Sequence, residues 1–225
     1  MDISQQEAEK LLKSIVIPVR PAILDELHRE AEKQEPNPAK ISQLIGQDVS
    51  LSAAMLKTVN SPLFGLSKRV ASVPQALAML GINNTINIIT GLALKNAMRG
   101  KQNPQLDQFW DSAAQEAMIS AYIAGRFPGT QADAAYTFGL FQNCAMPLLM
   151  QRFPDYEKTL QMANTATGRE LTAIEDERHA TNHASVGYLM ARAWFLPEKI
   201  AQAILCHHDL STFDTASHDI KSQVC

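Results

Sequence analysis

The sequence predicts an all-α protein. Apolar residues recur every three to four positions through almost the whole chain. Ser, Asp or Asn stands ahead of several of these runs, often with proline in the first turn. No stretch alternates apolar and polar residues between turn signals as a half-buried strand does, and no fixed-period repeat is visible.

Each element has its own signal. Ser4-Gln5-Gln6-Glu7 reads as a capping box for a short first helix. Pro21 opens a second, with Ile23, Leu24 and Leu27 on one face and Asp25, Glu26 and Arg29 on the other. Asn37-Pro38 pairs a capping residue with proline at the first helical position, ahead of Ile41, Leu44 and Ile45. Asp48 caps a fourth helix, whose apolar positions Leu51, Met55 and Val59 fall four apart. It stops at Asn60-Ser61-Pro62, because residues before proline avoid the α region. Ser72-Val73-Pro74-Gln75 is another capping box, and its helix ends at Gly81. Asn84 starts the next, carrying Ile86, Ile89, Ala93 and Ala97 as far as Gly100.

The polar stretch Arg99 to Pro104 marks a boundary between an N-terminal helical subdomain, residues 10–100, and a second helical subdomain, residues 104–210. Both belong to a single domain spanning 1–225. In the second half, Leu106 to Phe127 is a long alanine-rich helix stopped by Pro128-Gly129. Ala132 to Phe153 is helical and broken at Pro147. Shorter helices follow over Asp155 to Asn164 and Arg169 to Arg178. Asn182 caps a helix from His183 to Trp194, and Pro197 to His208 is the last. Residues 211–225 form a polar tail.

Composition narrows the function classes. The 225 residues are 46 % hydrophobic and 19 % charged, enough to bury a core without disulfides or metal and too apolar for a disordered chain. The net charge of -3, from 20 basic and 23 acidic residues without a like-charge block, removes the bulk attraction that non-specific DNA binding requires. Cys144, Cys206 and Cys225 are distant and odd in number, which suits reduced thiols in a cytoplasmic protein. No signal-peptide pattern and no run of about 18 apolar residues is present, so no membrane association is expected.

Chemistry-bearing side chains gather in the last third. Glu175-Asp176-Glu177 precedes His179 and His183, and His207-His208-Asp209 closes the final helix. Imidazoles with carboxylates are a transition-metal donor set. Neighbouring histidines on one helix point about 100° apart, however, so one of the pair 207/208 is expected to face any single site. No metal or other cofactor is expected to be required. Trp110 and Trp194 sit on apolar stripes and read as core. Asn60-Ser61-Pro62-Leu63-Phe64-Gly65 sets turn formers and an aromatic between two helices, as in a rigid connection or a recognition loop.

Taken in order, several segments resemble the HDOD family, the HD-related output domain of bacterial signalling proteins. They are Asp48 to Gly65 (DVSLSAAMLKTVNSPLFG), Val73 to Gly81 (VPQALAMLG), Trp110, Gly139-Leu140, Asn182 to Gly187 (NHASVG), Trp194, Leu196-Pro197 and His207-His208. Val49 stands where the family usually has proline. The resemblance covers residues 10 to 210. It implies an N-terminal helical subdomain packed on a degenerate HD-like subdomain. In HD phosphohydrolases, similar in this second half, a lone His, a His-Asp doublet and later His and Asp ligands hold metal. Here the lone His aligns near Ser112 and the doublet with Gln142-Asn143, which supply neither imidazole nor anionic charge.

The resemblance therefore implies a non-catalytic bacterial signalling module without a bound cofactor. Its partners would be other signalling proteins, and Arg69, Arg126 and Arg178 are candidates to meet the phosphates of a cyclic-dinucleotide messenger. Asn60, Ser61, Leu63 and Phe64 are the candidate partner-binding residues, beside apolar side chains near Met55 and Leu66 expected at the surface. The alternative is a residual metal-dependent phosphohydrolase on Glu175, His183, His207, His208 and Asp209. In the first reading these histidines survive as hydrogen-bonding groups that fix the angle between the last helices.

Overall fold

The computed structural model describes residues 15, 17–60, 69–98 and 104–209. All regular elements among them are helices. The first half contains α1 (Ala22–Ala31), α2 (Pro38–Gln47), α3 (Val49–Val59), α4 (Val73–Leu80) and α5 (Ile82–Ala97). The second contains α6 (Pro104–Ala124), α7 (Ala132–Phe141), α8 (Met146–Arg152), α9 (Tyr156–Thr165), α10 (Leu171–His179), α11 (His183–Ala193) and α12 (Glu198–Cys206). The expected capping box at Ser4 and the polar tail lie outside the described residues.

The caps form where the sequence places them. The Asn37 carboxamide oxygen accepts from the backbone N–H groups of Ala39 (3.0 Å) and Lys40 (3.3 Å) at the start of α2. Asp48 accepts from Leu51 (3.0 Å) at the start of α3. At α4 the box is looser: Ser72 accepts from Gln75 N–H at 3.4 Å, while the Gln75 side chain reaches back to Ala71 N–H at 2.9 Å.

Several boundaries depart from expectation. Helix α5 begins at Ile82, ahead of Asn84, because Gly81 at φ 77° turns the chain and serves both α4 and α5 as their shared flanking residue. The Asn84 carboxamide instead donates to Leu80 O. The break after α7 falls at Gln142 to Ala145, not at Pro147, which is carried inside the first turn of α8 where no intrahelical N–H is needed. Helix α6 closes at Ala124, three residues before the expected end. Met55, expected near the surface, is fully buried, since α3 turns Leu51, Met55 and Val59 inward together.

One continuous apolar cluster runs through both halves, from Leu24 and Ile41 to Trp194 and Ile204. Helix α7 is its spine: it packs on α5, α6 and α12. Its contact with α6 is the most extensive helix pairing described. The approach is close enough that a Cβ added to Gly139 would lie 2.8 Å from Ala117 Cα. Trp110 and Trp194 are core residues, and the Trp194 indole N–H donates to Pro18 O at 3.1 Å, tying the start of the chain to the end of α11.

A buried carboxylate fastens α1 to α2. Glu30, 2 % exposed, takes the Lys33 and Lys40 ammonium groups on one oxygen (2.7 and 3.1 Å) and the Asn37 N–H on the other (3.3 Å). The hydrogen bond from Lys33, then that from Lys40, holds its carboxyl down at about 2.

Two predictions follow from these contacts. Gly139→Ala should cost about 1–3 kcal/mol through overpacking at α6–α7, read as a lower denaturation midpoint with helical content retained. The Glu30 carboxylate binds its proton less readily in the folded chain than in the unfolded one. Its contribution is therefore complete above the ordinary carboxylate pKa and is lost as pH falls toward 2. The stability gap between wild type and Glu30→Gln should shrink over that interval in pH-dependent thermal unfolding.

Candidate functional site

The turn between α10 and α11 builds the site. Ala180 adopts a left-handed conformation (φ 55°) directly after α10. Asn182 then caps α11 by accepting from Ser185 N–H at 2.8 Å, and its amide donates to both oxygens of Asp176. This turn sets Glu175, in the last turns of α10, against His183, the first residue of α11.

Both are fully buried. One Glu175 oxygen accepts from the His183 backbone N–H (3.1 Å) and from its ring Nδ1 (2.6 Å). The other accepts from the Tyr156 hydroxyl, brought in by the first residue of α9. Burial, and then the adjacent Glu175 charge, pushes the Tyr156 phenol far up, so it remains a donor. The spacing of the sequence held no signal for Tyr156, which lies on a different helix 19 residues from Glu175.

The end of α12 completes the cluster. His207 donates from Nδ1 to Ile204 O at 2.7 Å, and its Nε2 lies 3.3 Å from His183 Nε2. His208 Nε2 lies 3.0 Å from the same atom. Burial drives His207 down to about 4 and lowers His208 as well, so both are neutral at neutral pH. Both adjacent histidines thus reach one point, contrary to the 100° argument. That argument applies to residues within a helix, and this pair lies in the turn after Cys206.

The other candidates lie apart. Asp209 is exposed and contributes no atom to the converging group, which consists of His183, His207 and His208. Glu177 is exposed and pairs with Arg169 at 2.5 Å. His179 bonds Thr159 (2.8 Å) and stacks on Phe153. Asn60 clasps backbone: its carboxamide bonds Leu56 O, Val70 O and Val70 N–H at 2.7–2.8 Å. Ser61, Leu63, Phe64 and Leu66 lie outside the described residues. Arg178 is engaged by Asp155 and Thr159, and Arg126, in the turn after α6, lies over the Tyr122 ring.

The HDOD domain pattern matches residues 17–210 of this chain. The chain belongs to the HDOD domain family. A curated relative, an uncharacterized protein of Treponema pallidum (strain Nichols), is 27 % identical over 215 residues, covering 92 % of this chain and 41 % of its own length. This chain therefore spans less than half of that relative. Two solved structures share the fold. One is a provisional phosphohydrolase of Shewanella amazonensis SB2B (TM-score 0.74, 21 % identity, 96 % of this chain and 76 % of that one). The other is a provisional signal transduction protein of Marinobacter aquaeolei VT8 (TM-score 0.70, 20 % identity, 94 % and 47 %). Among the described residues no helix is long and apolar enough to cross a membrane.

The residues of this HDOD chain do not fit the metal set of a hydrolytic HD centre. Ser112 is exposed. Gln142 spends its amide on Glu116 at 3.0 Å. Both oxygens of Glu175 are occupied by hydrogen-bond donors. Among the described residues the converging group holds three imidazoles and no carboxylate.

Replacing Tyr156 by Phe should remove the one side-chain donor that this oxygen of the buried Glu175 carboxylate has among the described residues. A stability loss of about 1–3 kcal/mol is expected in chemical denaturation, the cost of an unsatisfied buried acceptor. An unchanged midpoint would mean that Tyr156 does not support the carboxylate.

Proposed function

We propose that this chain is a non-catalytic, cytoplasmic signalling module that acts by binding other signalling proteins. The observation that carries the reading is the composition of the site. The resemblance sets Gln142-Asn143 where hydrolytic HD proteins have their metal-binding doublet, and Tyr156 and His183 occupy both oxygens of the buried Glu175 carboxylate. Phosphoester hydrolysis needs an activated water and a base or metal to make it. Neither oxygen of Glu175 is placed to act on one. Family membership and the name of the Marinobacter relative support the signalling half.

A protein partner is favoured over a cyclic dinucleotide. Phosphate recognition relies on guanidinium groups with free donors. Of the three candidates, Arg178 is already engaged by Asp155 and Thr159 and Arg126 donates to Tyr122 O at 3.0 Å, while Arg69 is exposed on the separate stretch between α3 and α4.

The alternative, a residual metal-dependent phosphohydrolase on Glu175, His183, His207, His208 and Asp209, draws on the convergence of the three imidazoles. A turnover assay separates the two. With Mn2+, Fe2+ or Zn2+ present, the chain should release no more product from p-nitrophenyl phosphate, bis-p-nitrophenyl phosphate or a cyclic dinucleotide than does His183→Ala. Turnover that disappears in the variant would establish the hydrolase.

A further inference from the structure

We propose that the cleft where the two halves of the chain meet binds one free amino acid with an apolar side chain. The cleft has a volume of about 390 Å³, the size of a small-molecule site, and such sites favour interfaces of this kind. Residues of α1 and α5 form one wall. The starts of α7 and α12 form the other, with Phe195 between α11 and α12.

Two buried nitrogens at this place lack a partner. His28 lines the cleft, and its Nε2 is shut from water with no hydrogen bond among the described residues. Burial, and then the Arg20 charge, lowers the pKa of His28, so the ring is neutral at neutral pH and Nε2 is free to donate or accept according to its tautomer. Arg20 pairs through Nη2 with Asp25 and lies over the Phe195 ring at 3.7 Å, yet its Nη1 is also buried and unpartnered. Buried polar atoms are normally satisfied, so two orphans together mark a place for a missing group. Phe195 is itself out of the ordinary. Its φ of 56° falls where helix ends usually carry glycine, and it is 59 % exposed at the cleft, so neither the backbone nor the core calls for an aromatic ring there.

The charges indicate the class of ligand. Glu32, just after α1, and Lys199, in the first turn of α12, line the cleft from its opposite walls. Both are exposed, and neither is in an ion pair among the described residues. A ligand of one sign is repelled by one of them. A zwitterion suits both, with its ammonium toward Glu32 and its carboxylate toward Lys199. Helices α7 and α12 both start here without a side-chain cap, which adds partial positive charge on the Lys199 wall. Ile86, Ile200 and the Phe195 ring give the ligand's side chain an apolar bed. A bound amino acid bridges the two halves and is an input separate from the three imidazoles. The proposal does not rest on the non-catalytic reading.

The test uses the full, tag-free chain and isothermal titration with L-leucine, L-isoleucine, L-valine, L-methionine and L-phenylalanine in turn. At least one of them should bind with one equivalent and raise the melting temperature by roughly 5–10 °C at a hundredfold excess over Kd. For a leucine-binding chain, 3-methylbutylamine and 4-methylpentanoate, which lack the carboxylate and the ammonium, should each bind at least about tenfold more weakly. Glu32→Gln and Lys199→Ala, both at exposed positions chosen to preserve folding, should each weaken binding by about tenfold. Glu157→Gln, exposed on α9, should leave it unchanged. No binding of any of the five, or binding indifferent to both Glu32→Gln and Lys199→Ala, would overturn the proposal. None of these readouts involves turnover or a protein partner, so they leave the function proposed above to be judged by its own assay.

Discussion

A carboxylate shut away from water sits at the centre of the second half of this molecule. An ionised group of that kind is tolerated only when donors replace its hydration. Glu175 receives a ring N–H and a backbone N–H from His183 and a hydroxyl from Tyr156. These donors come from the first residues of α9 and α11, while Glu175 itself belongs to α10. Satisfying one charge therefore fixes the mutual placement of three helices. The orientation of His183 imposed by this bond in turn decides what the end of α12 can meet.

The rest of the fold supplies the frame. Helix α7 is packed on α5, α6 and α12, and its approach to α6 depends on the absence of a side chain at Gly139. The core runs without interruption from the first half to the second. The histidine cluster is held by this packing as well as by its own hydrogen bonds: Phe138, on α7, meets the His207 ring edge-on. A rigid frame around a polar cluster is what keeps three imidazoles within reach of one another without collapse.

Much of this was legible in the residues. The caps Asn37, Asp48, Ser72 and Asn182 act at the positions expected of them, because capping depends on a local side chain meeting local N–H groups. The family pattern also pointed to His183, His207 and His208. What could not be read was their convergence. The expectation that adjacent histidines diverge treated 207 and 208 as helical, and the helix ends at Cys206, before both. Tyr156 was invisible for a different reason: its role is a contact between helices distant in sequence, and nothing in its own neighbourhood marks it. Glu177 and Asp209, which look equivalent to Glu175 on paper, face solvent.

The sequence by itself determined that the chain is helical, where most helices begin and which faces are apolar. These are properties of short windows, governed by periodicity, capping and residue chemistry. The tertiary structure alone decided which of the acidic and imidazole groups meet, which proton each carries, and that three Nε2 atoms share one point. Those outcomes depend on how α9 through α12 cross in space. Burial then turns the crossing into chemistry, because a buried polar group must find its partner within the fold.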